Sequence, residues 1–176
     1  MLILGKGLGV GIMSAAIKKG ELKPKAYLQM IESATQLNTP GIALSEMAGV
    51  HALTDVTGYG LLGHLLEICC GSKLAARLDY AKIPVLTAAR HLVEAGYVTG
   101  ASGRNWTSYS AAVTLPAGAP DSCRNILTDP QTSGGLLVAC DTATAPKVLE
   151  LFKQEGFQHA AVIGALEAGE PRVVVK

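Results

Sequence analysis

Glycines stand where a strand pattern changes into a helix pattern, and this junction constrains the fold more than any other part of the sequence. Residues 51–56 have the apolar and β-branched character of a strand, and residues 61–70 have that of a helix. Between them lies the sequence TGYG, residues 57–60. Glycine lets the backbone come close to a ligand, and the free N–H groups at a helix start favour an anion. The junction therefore predicts a strand–turn–helix unit with a binding loop.

Asp55, at the end of the predicted strand, bears on what this loop binds. Its carboxylate would repel a bare phosphate. Mg²⁺, however, is commonly held by one or two carboxylates together with phosphate oxygens. On this interpretation Asp55 is a metal ligand, and Thr57, Gly58 and Gly60 belong to a loop that lies close to phosphate.

Two other interpretations of the same residues stay open at this point. Residues 58–63 (GYGLLG) match the G-x-G-x-x-G pattern after a strand, and Asp79 ends the next predicted strand. Both features are typical of a dinucleotide-binding, Rossmann-like domain. Asp55 counts against that domain, because its charge would lie beside the pyrophosphate with no cation between them. The third interpretation is structural: a glycine-rich helix start that packs on a sheet, with Asp55 as a helix cap.

A second polar and glycine-rich segment covers residues 129–135 (DPQTSGG). Turn chemistry accounts for residues 129–130 and for the paired glycines. It does not account for three consecutive polar residues, 131–133, directly before an apolar strand pattern. These residues predict a second binding loop, in which Thr132 and Ser133 are candidate ligand contacts.

The alternation of helix and strand patterns predicts an α/β (α+β) fold, a mixed sheet covered by helices. We expect residues 1–50 to form an N-terminal helical arm of the domain and residues 51–176 to form the α/β core. Further expected elements are strands at 74–78 and 136–140 and a terminal hairpin made of 161–166 and 172–175, while 98–110 is a polar, glycine-bearing stretch.

Bulk properties exclude several kinds of partner. The 176 residues carry a net charge of +1 and no basic run interleaved with aromatics, so we expect neither nucleic acid nor membrane as a partner. No apolar run approaches the roughly 20 residues of a membrane span, and no signal peptide pattern is visible, which predicts a cytoplasmic protein. The cysteines lack C-x-x-C spacing and are interpreted as free thiols in a reducing compartment; they are Cys69, Cys70, Cys123 and Cys140.

Three segments together resemble the selenophosphate synthetase (selenide, water dikinase) family. In the family's order they are residues 54–64 (TDVTGYGLLGH), 100–106 (GASGRNW) and 129–137 (DPQTSGGLL). The similarity runs over nearly the whole chain and is that of the family's carboxy-terminal domain. One departure occurs near the start, where the family has KPLGTG and this chain has KGLGVG at residues 6–11. The proline and one hydroxyl are missing, so we assign no phosphate contacts there.

The resemblance implies the fold of the carboxy-terminal domain of aminoimidazole-ribonucleotide synthetase. Such a domain closes over an amino-terminal domain that binds ATP and dimerises, and this ATP-binding domain is expected to be absent from the chain. It further implies that Asp55 binds Mg²⁺, while other metal ligands and the catalytic cysteine or selenocysteine with its lysine lie in the absent domain. No catalytic residue is therefore assigned. His51 and His64 are expected to be structural, and Arg104 with Asn105 to be ordinary helix-start residues.

The family reaction converts selenide, ATP and water into selenophosphate, orthophosphate and AMP, for selenoprotein and seleno-tRNA synthesis. The resemblance implies that the full-length enzyme is a homodimer and that its partners are ATP and selenide. This chain would supply one wall of the Mg–ATP site, with its own N-terminal domain as partner, and would be inactive alone. The alternative functions are the dinucleotide-binding domain and a non-catalytic binding module of the same fold.

Overall fold

The computed structural model describes all 176 residues, and its seven strands form one sheet. In chain order the strands are β1 (Leu2–Leu4), β2 (Val50–Asp55), β3 (Leu74–Leu78), β4 (Val113–Thr114), β5 (Leu136–Cys140), β6 (Ala161–Ala168) and β7 (Val173–Val175). Their order in the sheet is β2-β5-β1-β6-β3-β7-β4. Neighbouring strands are antiparallel, except that β7 runs parallel to both β3 and β4. The mixed sheet confirms the predicted fold class.

Eight helices cover this sheet. They are α1 (Val10–Lys18), α2 (Pro24–Thr35), α3 (Pro40–Glu46), α4 (Gly60–Ser72), α5 (Thr87–Glu94), α6 (Gly100–Tyr109), α7 (Asp121–Leu127) and α8 (Ala145–Gln154). The three residues of β1 show how both faces are buried. Successive side chains of a strand point to opposite faces, and accordingly Leu2 and Leu4 belong to a core of 28 buried residues while Ile3 belongs to a second core of nine. Burial on both faces makes β1 uniformly apolar.

The first strand lies in the middle of the sheet. Leu2 to Leu4 pair with β5 on one side and with β6 on the other. The segment 1–50, predicted as a helical arm, thus also supplies an inner strand. None of the helices combines the length and the hydropathy that a membrane span requires.

Strand directions decide which loops meet. Strands β1 and β2 are both antiparallel to β5, so the C-terminal ends of β1 and β2 lie beside the N-terminal end of β5. The register places Asp55 opposite Leu136, and Leu4 opposite Leu137. The loops after β1 and β2 and the loop before β5 therefore lie together at one end of these strands.

The polar, glycine-bearing stretch at 98–110 contains α6, whose first turn is capped because the Thr99 hydroxyl accepts a hydrogen bond from the N–H of Ser102 (3.1 Å). One local prediction is wrong. The expected terminal hairpin does not form, since β3 lies between β6 and β7. Alternating hydrophobicity identifies strands but not their neighbours, and the apolar residues of β3 complete both pairings.

The topology also contradicts the dinucleotide-binding alternative. That fold needs the strands before and after the glycine-rich helix to be parallel neighbours. Here β5, β1 and β6 separate β2 from β3, so these strands are four spacings of about 4.8 Å, or roughly 19 Å, apart. Asp79 instead accepts a hydrogen bond from the N–H of Ala81 (3.2 Å) and pairs with Lys82 (3.1 Å). It stabilises a local turn far from the GYGLLG segment.

Candidate functional site

The two motif loops pack directly on each other. The N–H of Val56 donates to the carbonyl of Gly135 (2.9 Å), and the N–H of Gln131 donates to the carbonyl of Thr57 (3.0 Å). Gly134 lies so close that an added Cβ would overlap the carbonyl oxygen of Val56. Gly134 is thus required by this contact between the loops, whereas an added Cβ at Gly135 would overlap the backbone nitrogen of Lys6. The loops that carry the sequence-predicted residues, 55–60 and 129–135, are thus hydrogen-bonded to each other.

Asp55 ends the edge strand β2 with its side chain exposed. The carboxyl group takes part in no hydrogen bond or ion pair within the chain. It does not cap α4, because no side chain accepts a hydrogen bond from the first turn of that helix. The capping interpretation of Asp55 is therefore wrong, and the carboxylate is free to meet a ligand.

Thr57 is tied to a buried histidine. Its hydroxyl lies 3.2 Å from Nε2 of His64, whose Nδ1 lies 2.9 Å from a carboxylate oxygen of Glu67. A carboxylate only accepts, so Nδ1 donates, and in the neutral ring Nε2 accepts from the Thr57 hydroxyl. The Thr57 oxygen then offers its lone pairs to a further group. It is suited to accept a hydrogen bond, and His64 is placed to orient the Thr57 hydroxyl.

The fold requires glycine at position 60 but not at position 58. Gly60 has a φ of +68°, and an added Cβ would lie 2.7 Å from the carbonyl carbon of Thr128. Glycine at 60 is thus required by the chain itself. Gly58 has no positive φ and no atom within 4 Å of an added Cβ. Its carbonyl accepts a hydrogen bond from Nδ2 of the buried Asn105 (2.9 Å), which holds the turn in place.

The second loop presents Thr132 and Ser133 outward. Both side chains are exposed, and their hydroxyl groups have no partner in the chain. Ser133 has a φ of +51°, a left-handed conformation that is uncommon outside glycine. Such conformations are concentrated at binding sites, where the surrounding structure holds them in place.

Asp129 and Gln131 of this loop serve the fold, a role that the local sequence pattern does not indicate. The Gln131 side-chain oxygen accepts from the N–H groups of Gly9 and Val10, both at 3.1 Å. One Asp129 carboxyl oxygen accepts from the N–H groups of Gly11 (3.0 Å) and Ile12 (3.2 Å). The N–H groups at the start of α1 are therefore satisfied within the chain. The available signal was that the N-cap residue of α1 is Gly9, which has no side chain to cap the helix.

Burial gives Asp129 an unusual proton affinity. The residue is fully buried, and burial raises its pKa from 3.8 to about 7, although the hydrogen bonds from Ile12, Gln131 and Gly11 act to lower it. Its second carboxyl oxygen, Oδ1, is buried without a hydrogen-bond partner. A proton on Oδ1 would leave the other oxygen free to accept from α1, which fits the raised pKa.

The residues present suit a single carboxylate ligand and do not form a complete cation site within this chain. No three His, Cys, Asp or Glu side chains come together in a metal-binding group. At this edge the chain offers one free carboxylate, and Mg²⁺ is commonly bound by one or two carboxylates with phosphate oxygens and water. The four cysteines are free, three of them buried, and none lies in the motif loops.

Comparison with known proteins gives a family match over the full chain. Residues 1–176 match the family model of the C-terminal domain of AIR synthase related proteins. The chain is 56% identical over 174 residues to a protein of Dechloromonas aromatica (strain RCB) named selenide, water dikinase, covering 99% of this chain and 50% of the relative. A second selenide, water dikinase, of Paraburkholderia xenovorans (strain LB400), is 55% identical over 175 residues and is covered to 49%. The chain thus spans about half the length of these relatives.

Solved structures with a similar fold are more distant. The thiamine-monophosphate kinase of Stenotrophomonas maltophilia K279a superposes with a TM-score of 0.70 at 19% identity, over 99% of this chain and 49% of that one. A hydrogenase maturation protein HypE, solved in complex with ATP, gives 0.67 at 18% identity, over 99% of this chain and 46% of that one. At such identities the likeness concerns the fold.

Proposed function

Because the chain belongs to the AIR synthase related family as its C-terminal domain, we propose that it is the carboxy-terminal half of a selenide, water dikinase. The full-length protein would make selenophosphate from selenide, ATP and water, as a cytoplasmic homodimer. The observation that carries this proposal is 56% identity across 99% of the chain to a relative of that name, of which the chain covers half. The exposed, unpaired Asp55 at the junction of two motif loops supports it.

In this proposal the chain contributes one wall of the ATP site. Asp55 would hold Mg²⁺, which when bound neutralises charge on the transferred phosphoryl group. The Thr57 oxygen would accept a hydrogen bond from the cation's water, and the exposed Thr132 and Ser133 hydroxyls would donate to phosphate oxygens. A HypE structure of the same fold was solved in complex with ATP, which supports a nucleotide in this fold. The rest of the site would come from the N-terminal half.

The test compares the isolated chain with the full-length protein. Each is incubated with ATP, Mg²⁺ and selenide under anaerobic conditions, and ³¹P NMR follows AMP, orthophosphate and a phosphorus signal split by ⁷⁷Se. We expect the product from the full-length protein only, because one wall cannot enclose the reacting groups. A full-length protein that consumes ATP equally without selenide and forms no phosphorus–selenium bond would reject the proposal.

Gly58→Ala separates a ligand role from a structural one. The chain has room for the added methyl group, so we expect an unchanged Tm. A nucleotide that approaches the Gly58 backbone would meet this methyl group, and we expect KM for ATP to rise about tenfold, equivalent to about 1.4 kcal/mol. Gly103→Ala is the matched control, since Gly103 also has open space but lies in α6. Equal KM values for both variants would remove Gly58 from the site.

A further inference from the structure

A buried lysine holds the second motif loop. Lys6 follows β1 within the glycine-rich run, a setting in which lysine is often a phosphate ligand. Here it is only 3% exposed, and its Nζ donates to the carbonyl oxygens of Ser33 (3.2 Å), Gln36 (2.6 Å) and Ser133 (2.7 Å). An ammonium group has three donors. All three of them are therefore used inside the chain, and none is left for a ligand.

The acceptors explain why a cation is tolerated there. Ser33 and Gln36 lie at the end of α2, where carbonyl groups lack intrahelical partners and favour a positive charge. No ion pair involves Lys6, and burial lowers the pKa of its ammonium group. The lysine thus joins the end of α2 to the backbone of Ser133.

A second side chain holds the next residue of the same loop. Nδ2 of Asn38, in the connection between α2 and α3, donates to the carbonyl of Gly134 (2.8 Å). Ser133 carries the first of these two attachments and has a left-handed φ of +51°, which a non-glycine residue keeps only when its surroundings enforce it. In this conformation the Thr132 and Ser133 side chains are exposed beside the Asp55 turn.

We propose that Lys6 and Asn38 are positioning residues for the nucleotide site. They fix the backbone of Ser133 and Gly134, and so place the Thr132 and Ser133 hydroxyls, without touching the ligand themselves. This inference rests on the proposed function, because it assumes that these hydroxyls meet phosphate oxygens. The proposal also gives Lys6 of the KGLGVG run a positioning role in which the lysine does not contact phosphate.

The first test is Lys6→Met in the full-length protein. The thioether cannot donate to the three carbonyl groups, so the loop shifts, and a displacement of about 1 Å costs up to about a hundredfold in rate. We expect kcat/KM for ATP to fall at least about tenfold. The control is Lys147→Met, at an exposed position of α8, which should keep both constants. A folded Lys6→Met protein with a lower Tm but unchanged kcat and KM would show that Lys6 serves stability alone.

The second test uses the unaltered full-length protein. Lysines are acetylated with acetic anhydride, with and without Mg–ATP, and quantified by mass spectrometry. We expect Lys6 to stay unreactive in both states and Lys147 to react in both. Protection of a reactive Lys6 by ATP would identify it as a ligand and overturn the proposal. Should Lys6→Met fail to fold, Asn38→Ala removes the neighbouring attachment at a less buried residue; unchanged kcat and KM in that variant would also overturn the proposal.

The outcomes separate this inference from the proposed function. A wild-type full-length protein that forms no selenophosphate rejects the function, whatever the lysine variants do. An active wild type with active Lys6→Met and Asn38→Ala variants rejects only the positioning role.

Discussion

Replacing Asp55 by Asn in the full-length protein is expected to lower kcat for ATP consumption at least about a hundredfold, with Tm unchanged. The carboxyl group has no partner in the chain, so its loss removes no contact that stabilises the fold. The amide lacks the negative charge that holds Mg²⁺ against phosphate oxygens, and losing such electrostatic stabilisation typically costs 10²–10³ in rate. The measurement is ATP consumption as a function of Mg²⁺ concentration, alongside thermal unfolding.

Asp79→Asn is the matched control for Asp55→Asn. It also changes a carboxylate at a strand end to an amide, but Asp79 is engaged with Ala81 and Lys82 about 19 Å away by strand spacing. We expect its activity to remain at the wild-type level. Retained activity in Asp55→Asn with the same Mg²⁺ requirement would contradict the metal role.

Asp129→Asn is expected to remove a steep pH dependence of stability. The folded chain binds a proton on Asp129 up to about pH 7, whereas the unfolded chain releases it near pH 3.8. Stability therefore falls as pH rises through this window, by up to about 1.4 kcal/mol per pH unit and about 4 kcal/mol in total. The loss is complete above pH 7. Asparagine does not titrate, and its side-chain oxygen still accepts from the start of α1.

Urea unfolding of the isolated chain between pH 4 and pH 8 measures this effect. The quantity to follow is the free energy of unfolding of Asp129→Asn minus that of wild type, since the other carboxyl groups cancel. We expect the difference to rise with pH and level off above pH 7. Asp121→Asn, at an exposed carboxylate in the first turn of α7, should give no such rise. A flat difference for Asp129→Asn would show that its carboxyl group is ionised throughout.

Local pattern predicted those parts of the site that depend on neighbouring residues. The strands at 74–78 and 136–140 have the predicted bounds, and the strand–turn–helix unit around Gly58 is present. The fold class also followed, because helix and strand periodicities alternate along the chain. That Asp55 binds metal, and that Thr132 and Ser133 bind ligand, stay predictions.

Contacts between residues that are far apart in the sequence could not be predicted from the local sequence pattern. Gln131 was interpreted as a sign of a binding loop, yet it accepts hydrogen bonds from residues more than 120 positions away. Polar residues that cap a distant helix and those that bind a ligand look alike in sequence. The strand order could not be predicted either, since nothing in the sequence of residues 161–175 indicates that β3 lies between β6 and β7.

The central place of β1 has a consequence for biosynthesis. Its three residues leave the ribosome first among the strands of this domain, but the partners on either side, β5 and β6, begin at residues 136 and 161. The apolar strand β1 therefore remains without its partner strands until most of the domain has been translated. Sheets closed by such long-range pairing fold slowly and expose their strands to aggregation meanwhile. Chaperone supply and translation speed should thus affect how much of the domain reaches the folded state.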